Sequence, residues 1–470
     1  MDHNFSDKLR VFGRTSISWL NGGDAGSALQ PFFYPESNHR YSVSVGLTWS
    51  LTPATIVELF GGWVRTAQLD PQAVPTDTKQ LGFSPAYDAA MPVPNLAPGL
   101  NVASYETILG RGTRWDNEGP WSFNSNVTHI FGRHNLKAGF QTDIYQANSG
   151  GVNPPVLNFT GGFTQGPNPT TTGANIGSGL ADLLLGTFAS GSFSSPTNAA
   201  RTRKYYGLYV QEDYRVTSRL SLNLGLRWDG WQRVTDRFNG QNIGWAYNTP
   251  NPVQGPAAAN YALQPIPELS VGQFSSAMTG GYLFADPDHR AAGASQLNNW
   301  SPRFGFAYRV TDKTVLRGGY GLFKSFLYWG AASSTGFTAT TDAVGTIDGI
   351  TPYNLLNNPF PLGVTQPSGA SLGLLTSVGS SATFTDQNLT PQTMTRWNFG
   401  IQRQLSGNMV VEAQYVGSTF FNTTVGNVSA ISGTGDPNSL ALHNISNQIF
   451  TTLGPTGRLN QTVPNPFFGV

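Results

Sequence analysis

The stretch 205–230 reads YYGLYVQEDYRVTSRLSLNLGLRWDG. In its second half Leu220, Leu222, Leu224, Leu226 and Trp228 fall on one side, and Ser221, Asn223, Gly225, Arg227 and Asp229 on the other. Strict period-2 alternation is what an extended strand with one apolar and one polar face produces. A half-buried strand of a soluble sheet and a strand of a membrane barrel write the same line, so the choice rests on what surrounds it.

Four more hairpins of this kind occur. Tyr41, Val43, Val45, Leu47 and Trp49 alternate with small polar residues before a turn near 53, and a second strand runs through Glu58 to Trp63. WSFNSNVTHI (121–130) turns near 133 into a strand with Leu136, Ala138 and Phe140 opposite Lys137, Gly139, Gln141 and Asp143. RFGFAYRV (303–310) turns near 312 into TVLRGGYGLF, and Trp397, Phe399 and Ile401 turn near 407 into Val411, Ala413 and Tyr415. With LRVFGRTSISWL (9–20), this gives about eleven strands. The turns, including the one near 217, are short. The segments between hairpins (66–118, 147–202, 231–299 and 326–392) are long and rich in Gly, Pro, Asn, Ser and Thr. Soluble domains rarely hold a structureless connection beyond ~12–15 residues. Strict alternation of short turns and long loops is the asymmetry of a transmembrane β-barrel, with short periplasmic turns and long extracellular loops. Propeller blades, by contrast, carry four strands per repeat and short loops.

Composition agrees. Of 470 residues only 11% are charged, the net charge is +1, glycines number 55 and aromatics reach 12%. A near-neutral chain has no electrostatic footprint for nucleic acid. There is no cysteine, which excludes disulfides and thiolate sites. No apolar run approaches the ~18 residues of a membrane helix, so any span is made of strands. The start, MDHNFSDKLRVFGRT, lacks the basic and apolar regions of a signal peptide.

The side chains sort by role. Trp49, Trp63, Trp121, Trp228, Tyr308 and Trp397 stand near strand ends, where barrels carry aromatic girdles. Glu58, Lys137, Asp143, Arg227, Asp229, Arg317, Glu412 and Gln414 share the polar side and are assigned to the lumen, where a wet interior accommodates mixed charge. In the long loops Trp231, Trp245, Tyr247, Tyr261, Tyr328 and Trp329 are the candidate ligand contacts. The six histidines are scattered, and Asp286-Pro287-Asp288-His289 reads as a solvated turn rather than a calcium loop. SGLADLLLGTF (178–188) reads as a helical turn packing on neighbouring loops. No catalytic constellation, cofactor motif or metal-ligand spacing emerges; an enzyme is not expected.

The same stretches carry a family likeness. YYGLYVQEDYRVTSRLSLNLGLRWDG resembles a recurring segment of TonB-dependent outer-membrane receptors, of the Oar-like, acidobacterial type. DHNFSDKLRVFGR (2–14), NLKAGFQTDI (135–144), NNWSPRFGFAYRVTDKTVLRGGYGLF (298–323) and NLTPQTMTRWNFGIQRQLSGNMVVEAQYVGS (388–418) support the resemblance, as does NPFFG (465–469). It implies a plugged barrel of about 22 strands, outer-membrane lipid around it, the TonB complex as partner through an N-terminal region, and a nutrient ligand: an oligosaccharide, peptide or metal chelate. Residues 1–470 are therefore expected to be a barrel-domain fragment without plug, TonB box or C-terminal strands. The alternatives are a passive porin-like or adhesive barrel, and a soluble extracellular carbohydrate-binding β-protein.

Overall fold

The computed structural model describes residues 1–24, 34–70, 77–105, 107–108, 110, 112–166, 177–196, 198–263, 279–325, 334–380, 382, 384, 387–388 and 390–422. Twelve strands form one antiparallel sheet in sequence order. They are β1 (Asp2–Ser6), β2 (Leu9–Asp24), β3 (Tyr34–Thr52), β4 (Thr55–Asp70), β5 (Thr113–Phe131) and β6 (His134–Val152). The second half comprises β7 (Ala199–Arg215), β8 (Leu220–Trp231), β9 (Gln296–Thr311), β10 (Thr314–Ser325), β11 (Gln392–Gln404) and β12 (Val410–Phe421). This is one more than the sequence pattern counts. The addition is β1, whose five residues DHNFS lack an alternating face and are fixed by pairing to β2.

Turns of two to five residues close the odd-to-even pairs at one end, and the long segments connect the others at the opposite end. Register then decides what each face carries. Glu58 pairs with Asn126, Asn126 with Gly139, Gly139 with Tyr209, Tyr209 with Arg227, and Arg227 with Ser301. From Ser301 the same face passes through Arg303, opposite Gly321, to Arg317, opposite Gly400, and on to Gln414. All eight residues assigned to the lumen thus share one face of the sheet.

The opposite face is apolar and uncovered. Val45, Leu208, Trp300, Phe399 and Val411 are all at least half exposed, and Val43, Val127, Leu224, Leu226, Phe304 and Ile401 only slightly less so. A soluble sheet packs such a face against a second layer. Here that face meets nothing from the described residues, and lipid is the medium it suits. Trp49, Trp63, Trp121, Trp228, Tyr308 and Trp397 all lie on it by register. Tyr308 and Trp300, both outward on β9, are eight residues apart, about 26 Å along the strand. At a strand tilt of about 40° that is roughly 20 Å along the membrane normal, within an apolar band of roughly 25 Å. Near the turn end, Phe131 stacks on His134 at 4.8 Å and His134 on Tyr214 at 4.3 Å. Among the charged residues on this face, Glu212 is paired with His134.

The buried apolar side chains lie at the long-loop end. β3, β5 and β6 have 19 residues each, well beyond the 9–11 needed to cross a membrane, so they rise past the apolar band. On them the loops fold into a cap, whose strands the sequence pattern does not mark. Short strands Gly99–Val102, Val156–Phe159, Ser190–Ser194 and Thr340–Val344 make a four-stranded sheet drawn from three loops. Tyr87, Leu96, Leu157, Phe159, Phe188 and Phe193 fill its core, each no more than 1% exposed. The Tyr87 hydroxyl donates to the Leu96 carbonyl at 2.6 Å, and burial pushes its pKa well above the usual tyrosine value. SGLADLLLGTF contains the helix Gly179–Leu185, capped by Ser178, with Asp182 buried beneath it accepting from the Gly161 amide and the Thr164 hydroxyl.

Candidate functional site

On β6 to β8 the inward face carries a connected hydrogen-bonded network. Asp229 accepts from the Tyr205 hydroxyl at 2.6 Å and from Arg227 Nε at 2.8 Å. Arg227 also donates through Nη2 to Gln141 at 3.0 Å and to the Tyr205 hydroxyl, and Gln141 in turn donates to Asp143 at 3.1 Å. Glycine permits this arrangement. A Cβ on Gly207 would lie 2.6 Å from Arg227 Nη2 and 2.7 Å from the Tyr205 hydroxyl, so only hydrogen leaves the guanidinium room to cross strand β7. Of the eight residues assigned to the lumen, Lys137, Asp143, Arg227 and Asp229 come together here around two adjoining cavities. Glu58, Arg317, Glu412 and Gln414 stand exposed on the same face, outside them.

The Asp229 side chain is 5% exposed and that of Arg227 is 22%. Removing the carboxylate strands a guanidinium that retains little water. Asp229→Ala is expected to cost about 3 kcal/mol, the lower end of the range for a broken buried pair. Asp229→Asn keeps an acceptor for Tyr205 and costs less. Urea midpoints of the refolded chain measure both.

A second site lies among the loops. Strands Asn242–Trp245 and Tyr282–Phe284 pair with each other, and Trp245 packs edge-on to Tyr282 and stacks on Phe384, both at 5.2 Å. Tyr247 meets Phe384 edge-on at 5.8 Å. Gly280, at φ +101°, gives the indole its place; any Cβ there would collide with it. Beside this cluster is a cavity of about 370 Å³ lined by Trp245, Asn251, Thr279, Gly280, Leu374 and Thr376, among others. Asn251 clamps it by donating to the Gly280 and Leu374 carbonyls at 2.9 and 2.8 Å. The Thr376 hydroxyl is buried without a partner among the described residues.

The loop candidates therefore divide. Trp245 and Tyr247 meet in the aromatic cluster, and Trp245 lines the cavity. Trp231 instead tops β8, stacked near Tyr205 and lining an inner-wall cavity. Tyr261 is buried on the helix Gln254–Leu263. Tyr328 and Trp329 lie outside the described residues. Sequence reading missed Tyr205, Gln141, Ser301 and Arg303 on the wall, although their inward parity is readable, and Thr376, Tyr282 and Phe384, for which no local pattern exists. Asp286 accepts from the Asp288 and His289 amides at 2.8 and 2.6 Å, which makes it a turn residue and lowers its pKa.

A one-layer antiparallel wall with an apolar outer face between aromatic girdles, a polar inner face and a folded loop cap defines an outer-membrane β-barrel. The model of the outer membrane beta-barrel domain family matches residues 1–469, and the chain belongs to that family. The protein is accordingly a resident of the outer membrane. None of the curated proteins compared matches the chain in sequence. Among solved structures it is similar in fold to the outer membrane transporter YddB from Escherichia coli, at 10% identity and TM-score 0.42, over 88% of this chain and 38% of that one. It is similar also to the alcaligin outer membrane receptor FauA from Bordetella pertussis (9%, TM-score 0.40, 89% and 42%). The siderophore receptor PirA from Acinetobacter baumannii gives 11%, TM-score 0.38, 89% and 42%. The chain thus spans about two fifths of the length of these proteins.

Proposed function

We propose that the chain is the barrel portion of a TonB-dependent outer-membrane receptor of the Oar-like type, a transport protein rather than an enzyme. In this reading the loops capture a nutrient, and import is powered through a plug and TonB-contacting region contributed by a longer polypeptide. The observation that carries the capture step is the loop cavity. Segments 231–299 and 326–392, both expected to hold ligand contacts, close around about 370 Å³ of space with an aromatic wall and an unpartnered Thr376 hydroxyl. Small-ligand sites commonly join apolar and aromatic walls with a few convergent polar groups.

The test is a binding panel on the chain refolded in detergent: oligosaccharides, short peptides and iron chelates, each followed by tryptophan fluorescence and calorimetry. One class is expected to bind, and Trp245→Ala to weaken it at least tenfold. A chain that binds no class, or a variant that binds as well as wild type, overturns the assignment of the cavity. Steady ion conductance by the chain in planar bilayers without any ligand response favours a passive pore instead.

A further inference from the structure

Two adjoining cavities of the inner wall, about 330 and 340 Å³, share Arg227, Ser301 and Arg303 in their lining. Register explains the adjacency: Arg227 pairs with Ser301, and Arg303 is the next inward residue on β9, between Gly225 of β8 and Gly321 of β10. Gly225 leaves room on one side of the Arg303 side chain, and on the other side the Phe323 ring lies over Gly321. Lys137 lies on the same cross-strand row, through Gln211 and Gly225, and lines the first cavity with it.

The cations here are not equivalent. Arg227 is matched by Asp229. Arg303 has its guanidinium over the Phe323 ring, 4.6 Å from the centroid, and among the described residues no carboxylate pairs with it or with Lys137. Between the two cavities Ser301 is 1% exposed, and its hydroxyl has no hydrogen-bond partner among the described residues. Buried hydroxyls are normally satisfied. Two cations without a carboxylate partner and one unpartnered buried hydroxyl thus line the first cavity, whose lining holds no carboxylate.

We propose that Lys137, Ser301 and Arg303 form an oxyanion site on the inner wall, taking a carboxylate or phosphate group, with Arg227 and Asp229 holding its floor. A guanidinium suits a planar carboxylate or a phosphate through its fork of donors, and the ammonium adds a point charge. Two sources carry this chemistry: a small anionic solute in the lumen, or an acidic side chain of a polypeptide seated there. The site rests on the barrel assignment but not on the loop cavity, so each fails separately.

The experiment uses the full chain refolded in detergent, with phenylglyoxal modification of individual arginines followed by mass spectrometry. Inorganic phosphate and succinate are expected to slow modification of Arg303 at least fivefold, where chloride at equal ionic strength does not. A hexaglutamate peptide that protects at concentrations at least tenfold lower assigns the site to a polypeptide side chain; equal or weaker protection assigns it to a small solute. Calorimetry should show Arg303→Gln and Lys137→Gln each weakening the bound anion at least tenfold and Ser301→Ala at least threefold, with Trp245→Ala leaving it unchanged. Arg309→Gln is the control, an inward cation near the turns that donates to the Ser218 carbonyl. The proposal is overturned if no anion protects Arg303 beyond chloride, or if Arg309→Gln weakens binding as much as Arg303→Gln. The protection arm uses wild-type protein and stands even where a variant does not fold.

Discussion

Leu224→Arg is expected to destabilise the chain in a phospholipid bilayer by about 2–4 kcal/mol, the cost of a cation on the lipid face at mid-membrane, while Asn223→Arg one residue away changes stability by well under 1 kcal/mol. The contrast follows from register. Leu224 is four residues from Leu220, which pairs with Tyr308, and four from Trp228, which pairs with Trp300, so it sits midway between the aromatic rows. It is 39% exposed, flanked by Glu212 and Phe304, and no second layer covers it. A guanidinium there meets hydrocarbon and, on the neighbouring strand, the Glu212 carboxylate that His134 already engages, so most of the cost remains unless it snorkels to an interface. Asn223 points to the other face and donates to Asp213; an arginine in its place keeps a carboxylate partner and a wet lumen. Reversible urea unfolding in vesicles reads both variants, and about 3 kcal/mol appears as a change of roughly 150-fold in the folding constant. Equal losses at 223 and 224 would reject the assignment of the leucine side to lipid.

The wall was legible because its physics is local: a strand with lipid on one side and water on the other alternates within each few residues, as Leu220 to Trp228 does. What escaped has a distant cause. β1 is short and fully exposed, so nothing in DHNFS announces it apart from pairing with β2. The upper parts of β5 and β6 run through NEGP and ANSGG, where backbone pairing with neighbours, not side-chain pattern, holds the strand. The cap strands have four or five residues, and its one parallel pair, Gly99–Val102 with Val156–Phe159, joins separate loops. Of the candidate sites, the inward charges could be read by parity, since register is an integer property. That Arg227 is matched and Arg303 is not depends on which strands lie side by side. Trp245 was legible as a loop aromatic, but its partners Tyr282 and Phe384 and the unpartnered Thr376 are products of packing.

The cap and the wall are expected to respond separately to mutation, and Phe159→Ala shows why. The wall is held strand to strand by its ladder and by lipid, and of its residues only Val152, at the top of β6, is among the described members of the cap's core. The cap is a small soluble domain in all but connectivity: Phe159 is 0% exposed within a cluster that spans Phe83 to Phe360. Deleting a fully buried phenylalanine ring costs about 3–5 kcal/mol, through lost transfer energy plus the cavity left behind. A core of this size has little surplus beyond that, because small units bury too little surface to be very stable. Opening of the cap should therefore become at least 100-fold more populated. Cleavage by a protease within 153–166, 177–196 and 334–380 should accelerate to match, while the heat-dependent electrophoretic shift that reports the folded wall stays unchanged. Leu184→Ala is the control: the side chain is 80% exposed on the cap helix, and its loss should fall within ±0.5 kcal/mol. The cap also steadies the loop cavity, since the segment that begins at Thr340 runs on through Phe360 to the cavity-lining Leu374 and Thr376. Ligand binding should accordingly weaken in Phe159→Ala although that residue does not line the loop cavity. Simultaneous loss of wall and cap in one transition would instead make the two a single cooperative unit, and the strands above the membrane would then be the element that couples them.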